Sequence, residues 1–172
     1  MYRKAKVYQI NLSELYDHES PAEQSILNER ELTSSTDVKN IVEDLRRFLD
    51  VDTNQQVEWS GYEDALKTWR ERFEKHGVFV FKDAFKNDDY SGFCLYHDRY
   101  PVIFVNNSLP KSRQIFTLFH ELAHLLFKSG GIDVQARGFF RKLSGDYSRM
   151  EVKCNEFAGS YKYWQRKKTT YC

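Results

Sequence analysis

The chain has 172 residues, of which 41% are hydrophobic and 16% aromatic, enough for one globular domain with a real core and too apolar for a disordered chain. Its 26 lysines and arginines nearly balance 25 acids, so net charge gives no argument for a nucleic-acid or membrane partner. The first residues, Met1 to Val7, have no apolar run behind them, and no stretch reaches the length of a membrane span. Cys94, Cys154 and Cys172 are odd in number, far apart and outside any C-x-x-C spacing, which predicts reduced thiols and a cytoplasmic setting.

Residues 1–36 carry weak signals: short helices are predicted to begin near Asn11 and near Ser20-Pro21, and His18 reads as a surface-loop residue. From Asp37 the pattern sharpens. Val38, Ile41, Val42, Leu45, Phe48 and Leu49 recur at helical spacing and predict an amphipathic helix, with residues 50–58 as a polar connection. Ser60 and Glu63 predict a capping box for a second helix with Ala65, Leu66, Trp69 and Phe73 inward. Gly77 stops that helix, and His76 complements its C-terminal dipole. Three strands are predicted next, at 78–81, 91–96 and 101–106, with His97 in a turn. Pro101 marks the third as an edge strand, where an extended peptide could add by main-chain hydrogen bonds. Residues 132–147 read as a loop, and a last helix is predicted from Ser148.

His120-Glu121-Leu122-Ala123-His124 lies between strand three and that loop. On a helix, residues four apart share one side, so both imidazoles can hold one tetrahedral zinc. Glu121 then lies beside the metal, placed to take a proton from water. Phe116, Phe119, Ala123, Leu126 and Phe127 make the segment apolar around most of its circumference, which predicts a buried helix. Histidines and a glutamate buried there need partners, and a metal supplies them. A catalytic zinc takes a third protein ligand. Asp133, Asp146, Glu151 and Glu156 are candidates, with His97 as an outsider. Glu151 is favoured, because Asn155 four residues on shares its face and could accept the N–H of a ligand histidine. Cys154 reads as a small buried residue. Tyr100, Arg113 and Tyr147 are candidate oxyanion donors.

The runs Gly77 to Phe81, Ser91-Gly92-Phe93, Pro101 to Asn106 and Arg113 to His124, followed by Glu151 to Ala158, resemble the ImmA/IrrE family of metallo-endopeptidases. The resemblance covers roughly residues 60–158. It implies an α+β, zincin-like core: a small three-stranded sheet packed against the buried H-E-x-x-H helix and a second ligand-bearing helix. It further implies His120, His124 and Glu151 as metal ligands for one Zn2+ (or Mn2+), Glu121 as the acid/base, and Asn155 beside a ligand histidine. The implied partner is a protein substrate, a helix-turn-helix repressor or antitoxin that the enzyme cleaves or inactivates. Cys154 replaces the family's usual alanine. After Ala158 the family continues with apolar residues, whereas here Gly159 to Lys168 predicts an altered end with a basic cluster at Lys162, Arg166, Lys167 and Lys168. The expected organisation is an N-terminal helical segment over 1–58, a metallopeptidase domain over 59–161 and a frayed basic tail over 162–172. The rival reading is a zinc-stabilised module that sequesters a repressor or toxin without cutting it; retention of Glu121 argues against it, since a structural site needs no base. A DNA-binding regulator built from residues 1–58 and the basic tail ranks below both, because no tight helix-turn-helix pair is legible there.

Overall fold

The computed structural model describes residues 2–33, 35–85, 89–128 and 145–161. Five helices precede the sheet: α1 (Tyr2–Leu15), α2 (Ile26–Glu29), α3 (Val38–Phe48), α4 (Thr53–Glu58) and α5 (Tyr62–Lys75). Strands β1 (Phe79–Asp83), β2 (Gly92–Leu95) and β3 (Val102–Asn106) follow, then α6 (Lys111–Leu126) and α7 (Gly145–Ser160). This is the mixed helix-and-sheet class expected, with its small three-stranded sheet.

The strand order is β1-β3-β2. β3 pairs in parallel with β1, Phe79 opposite Val102, and antiparallel with β2, Gly92 opposite Val105. Strand three is therefore central, and the expected edge position at Pro101 is corrected. Pro101 precedes the strand proper, where its missing N–H costs no ladder bond, while its carbonyl still accepts from the Phe79 N–H at 3.0 Å. The edges are β1 and β2.

Alternation along the strands divides the core. Val80, Cys94, Ile103 and Val105 turn inward to a cluster shared with α3, α5, α6 and α7. Phe79, Phe93, Leu95, Val102 and Phe104 turn the other way. On that outer face Phe93 stacks on Phe104 at 5.2 Å, and Phe81 lies 5.2 Å from Phe104 on its other side. Helix α1 covers this aromatic row: Ala5 and Leu12 are buried against it, and Tyr8 sits 4.5 Å from Phe81. The buried Gln9 amide donates to the carbonyls of Leu95 and Tyr100, and Lys4 pairs with Asp83 at 2.6 Å. One long helix thus stands where a short one near Asn11 was expected. No helix forms at Ser20-Pro21; the next begins at Ile26, with the Ser25 hydroxyl capping Leu27.

Helix α3 matches its expected register, with Asp37 as N-cap. The polar connection instead holds α4, closed by a capping box in which Asp52 accepts from the Asn54 and Gln55 N–H groups and Gln55 reaches back to the Asp52 N–H. The box expected at Ser60 and Glu63 does not form. Gly61 is the N-cap of α5, Asp64 accepts the Ser60 N–H at 3.2 Å, and Glu63 pairs with Lys111 at 3.0 Å. Gly77 follows with φ +80, a left-handed conformation suited to glycine after a helix end. His76 departs from its expected role as a dipole charge. Its ring packs 4.5 Å from Phe48, and burial, opposed by a backbone hydrogen bond at Gln24, lowers its pKa. The last helix starts at Gly145, three residues earlier than expected. The expected loop up to residue 144 and the tail over 162–172 lie outside the described residues.

Trp69 is the hub of the inner core, 1% exposed and edge-on to Trp59, Phe119 and Tyr161 at 4.8–5.6 Å. Trp69→Ala should cost about 3–5 kcal/mol in urea unfolding, against a core change of one methylene at about 1. His76 should give the protein an acid-sensitive component. Its folded pKa lies below the unfolded value of about 6.5, so stability present above that pH is lost as pH falls toward the folded pKa. Thermal unfolding between pH 7.5 and 5 should show this slope, and His76→Gln should flatten it.

Candidate metal centre

Sixteen residues of α6 run from the open end of the sheet down its inner face, and eleven of them are buried. The apolar majority explains this: Leu118, Phe119, Leu122, Leu125 and Leu126 are enclosed by α5, α7 and the strands. Phe119 is stacked 3.7 Å from Tyr161 and meets Phe73 edge-on at 5.3 Å. Burying those residues fixes the rotation of the helix about its axis. His120 and His124 then share the side facing α7, while Glu121, 4% exposed, lies at the flank facing β2.

Gly92 makes that flank possible. A Cβ built there would stand 2.4 Å from the Thr117 methyl, 2.6 Å from the Phe104 carbonyl oxygen and 3.7 Å from Glu121 Cγ. Only a residue without a side chain lets the edge strand lie this close to α6.

Helix α7 supplies the facing carboxylate. Cys154, Phe157 and Ala158 are buried, which seats the helix on α6 and α3 and leaves Glu151 partly exposed at the interface. His120 Nε2 and His124 Nε2 are 3.1 Å apart; Glu151 Oε2 lies 3.6 Å from the first and Oε1 3.3 Å from the second. Ligands bound tetrahedrally at about 2.0–2.1 Å would stand about 3.3 Å apart. The three side chains therefore form a group that could hold a metal ion. Both Nε2 atoms point to one locus, so at most one can carry a proton between them; an ion there would use both lone pairs. Phe116 lies 6.0 Å from the His120 ring at a shallow angle, an aromatic wall on one side.

The other candidates separate. His97 stays in the β2–β3 turn, where its Nδ1 accepts from the Arg99 and Tyr100 N–H groups at 3.1 Å, and burial lowers its pKa. Glu156 is exposed. Asp133 lies outside the described residues, as do the side chains of Asp146 and Tyr147. Tyr100 does not reach the site: it is buried among the outer-face residues, and its hydroxyl donates to the Glu19 carbonyl. Arg113 is exposed, two turns before His120. Asn155 shares the side of α7 that carries Glu151, as its spacing requires, yet is exposed. The inward face of α7 is set by Cys154, Phe157 and Ala158. Sequence reasoning also missed Gly92 and Asn106. Both stood in recognised strands, but neither residue type announces a close approach or a buried hydrogen-bond hub.

A glutamate between two histidines one turn apart, faced by a carboxylate from another helix, is the donor set of a metallopeptidase. Residues 73–161 match the family model Peptidase_M78, the IrrE N-terminal-like domain. The match spans just over half the chain, from the last turn of α5 to the end of α7, and the chain belongs to this family. No curated protein and no solved structure matches it. Family membership supports a metallopeptidase, which acts on a protein or peptide substrate. Among the described residues no helix is long and apolar enough to cross a membrane.

If His120, His124 and Glu151 are one ligand set, zinc added to metal-free protein should raise the unfolding temperature. A ligand at 100 times its Kd adds about 2.7 kcal/mol. His124→Ala and Glu151→Ala should each lose this shift together with stoichiometric zinc in elemental analysis.

Proposed function

We propose that the protein is a zinc endopeptidase with a zincin-like catalytic unit over residues 59–161, acting on a cytoplasmic protein regulator of the helix-turn-helix repressor or antitoxin kind. The observation that carries the reading is Glu121, a carboxylate buried on the same helix as two metal-ligand candidates and next to an edge strand. A structural metal site has no use for such a group. His120, His124 and Glu151 would hold the ion. Bound there, zinc lowers the pKa of a coordinated water toward about 7 and polarises a carbonyl oxygen; manganese supplies the same Lewis acidity.

The remaining steps belong to the chain. The Glu121 carboxylate accepts a proton from the attacking water and delivers it to the departing amine nitrogen, so one group serves as base and then acid. Its placement on α6 against β2 limits access of bulk water. Substrate would lie along β2. The other edge is occupied: Arg70 Nη2 donates to the Val80 carbonyl at 2.9 Å, and the Glu74 carboxylate accepts the Val80 N–H. An ion pair on α5 thus stands where a neighbouring strand would pair with β1. At the opposite edge the Ser91 carbonyl accepts from the Asn106 N–H, which sets the alternation so that Gly92 turns its main-chain groups away from β3. An extended peptide paired there would pass Glu121.

The repressor as substrate rests on family likeness, and a regulator folded around accessible loops fits a cleft that takes an extended chain. Glu121→Gln tests the reading against sequestration without cleavage. The change is isosteric and removes the proton acceptor while keeping the ligands. Zinc content, unfolding temperature and partner binding should stay at wild-type values, while partner cleavage should fall by about 10²–10⁴. Unchanged release of the partner's target genes in cells carrying Glu121→Gln would favour the sequestering module.

A further inference from the structure

Asn106 is the most completely used polar side chain among the described residues outside the metal centre. It is 0% exposed at the end of β3. Its Oδ1 accepts from the Phe85 N–H at 3.2 Å, the Ser108 N–H at 3.1 Å and the Ser108 hydroxyl at 2.7 Å. Its Nδ2 donates to the Tyr90 carbonyl at 3.0 Å, and its backbone N–H donates to the Ser91 carbonyl at 2.9 Å. One amide therefore joins three connections: the exit from β1, the entry to β2 and the turn into α6. The last two lead into the strand and the helix on either side of Glu121. Tyr90 and Ser91 lead directly into Gly92, whose missing side chain lets β2 touch Thr117 and approach Glu121. Ser108 lies three residues before α6 begins.

We propose that Asn106 is a positioning residue which sets the width of the gap between the β2 edge and Glu121, and so determines how an extended peptide is seated. This rests on the peptidase reading above. The chemistry favours asparagine over its relatives. Three donors converge on Oδ1 while an acceptor faces Nδ2, so a group with an oxygen and an N–H2 at fixed spacing satisfies all four. Aspartate would keep the three donors and set a carboxylate oxygen against the Tyr90 carbonyl. It would thus release the β2 entry alone.

The test uses the full chain loaded with zinc, with two probes: acetohydroxamate, which reaches the metal only, and a hydroxamate carrying a peptide of several residues, which must also lie along the cleft. Asn106→Asp should keep stoichiometric zinc and bind acetohydroxamate as the wild type does. Its affinity for the peptidyl hydroxamate should fall about tenfold, the effect of one buried hydrogen bond replaced by repulsion. In metal-free protein, amide exchange should quicken at Phe93, the first residue of β2 whose N–H faces β3, and stay slow at Phe85 and Ser108. A zinc-loaded Asn106→Asp protein with wild-type affinity for both probes would overturn the proposal. Should that variant fail to fold, Ser108→Ala removes the hydroxyl bond to Oδ1. It should weaken the peptidyl probe about threefold and leave acetohydroxamate unchanged, and equal affinities there would also overturn it. A wild-type protein that binds the peptidyl probe no better than acetohydroxamate would defeat the peptidase reading itself. That result differs from a failure of Asn106 alone, in which wild type discriminates and the variants match it.

Discussion

A helix enclosed on nearly every side, carrying three polar side chains that cannot all reach water, is the constraint on which the rest of the structure depends. Isolated charges moved into such a place cost several kcal/mol each, so α6 is tolerable only if its polar groups meet partners. The fold provides them in two directions. Glu151 closes the side of the histidines, and the Gly92 gap receives Glu121. The apolar residues between them decide which direction is which, because Phe119 is held by Tyr161, Trp69 and Phe73. Rotating α6 to expose the histidines would pull Phe119 from that aromatic nest. Core packing and site geometry are therefore one problem with one solution.

The N-terminal third, outside the family match, bears on the same problem. Leu32 N–H donates to the Leu126 carbonyl at 3.0 Å and so satisfies one of the acceptors left at the C-terminal end of α6. Four residues on, the Thr36 carbonyl accepts from Lys153 at 2.6 Å, on the turn of α7 that carries Glu151. Arg46 of α3 lies 4.7 Å over the Tyr161 ring and donates to Gln56 at 2.6 Å, and burial lowers its pKa. Both helices that carry the metal-ligand candidates are thus gripped by residues 32–56, and the outer sheet face is covered by α1. A segment whose role was obscure from its sequence braces the elements that hold the metal-ligand candidates.

What was legible in the sequence had either strict periodicity or strict chemistry. Helices α3, α5 and α6 declared themselves because their buried residues recur at three and four. The H-E-x-x-H spacing and the Glu151 helix were legible because metal donors are few in kind. Helix α1 was not, since its buried line of Ala5, Gln9 and Leu12 includes a glutamine, while Val7 and Ile10 are exposed and blur the pattern. Helix α4 had its signal in Asp52 and Gln55, but six residues of which only Val57 is apolar read more readily as a loop. Strand order was beyond reach. Pro101 suggested an edge by a rule about N–H groups, and the central strand obeyed the rule by starting one residue later. Asn155 meets a related limit: spacing places it on the side of α7 that carries Glu151, and only packing says how far that side is covered, here leaving the residue exposed.

The register of β2 against β3 is fixed from both faces of the sheet. Shifting β2 by one residue against β3 would turn Phe93 and Leu95 toward α6 and Cys94 toward α1. It would also set a side chain at the point where a Cβ would meet Thr117 at 2.4 Å and a backbone oxygen at 2.6 Å, a collision that no rotamer relieves. Phe93 would leave its stack on Phe104, and the Ser91 carbonyl would lose the Asn106 N–H. The aromatic row on one face, the glycine on the other and the asparagine at the end all select the same pairing. A strand fixed three ways does not slide, so its distance from Glu121 is a property of the fold.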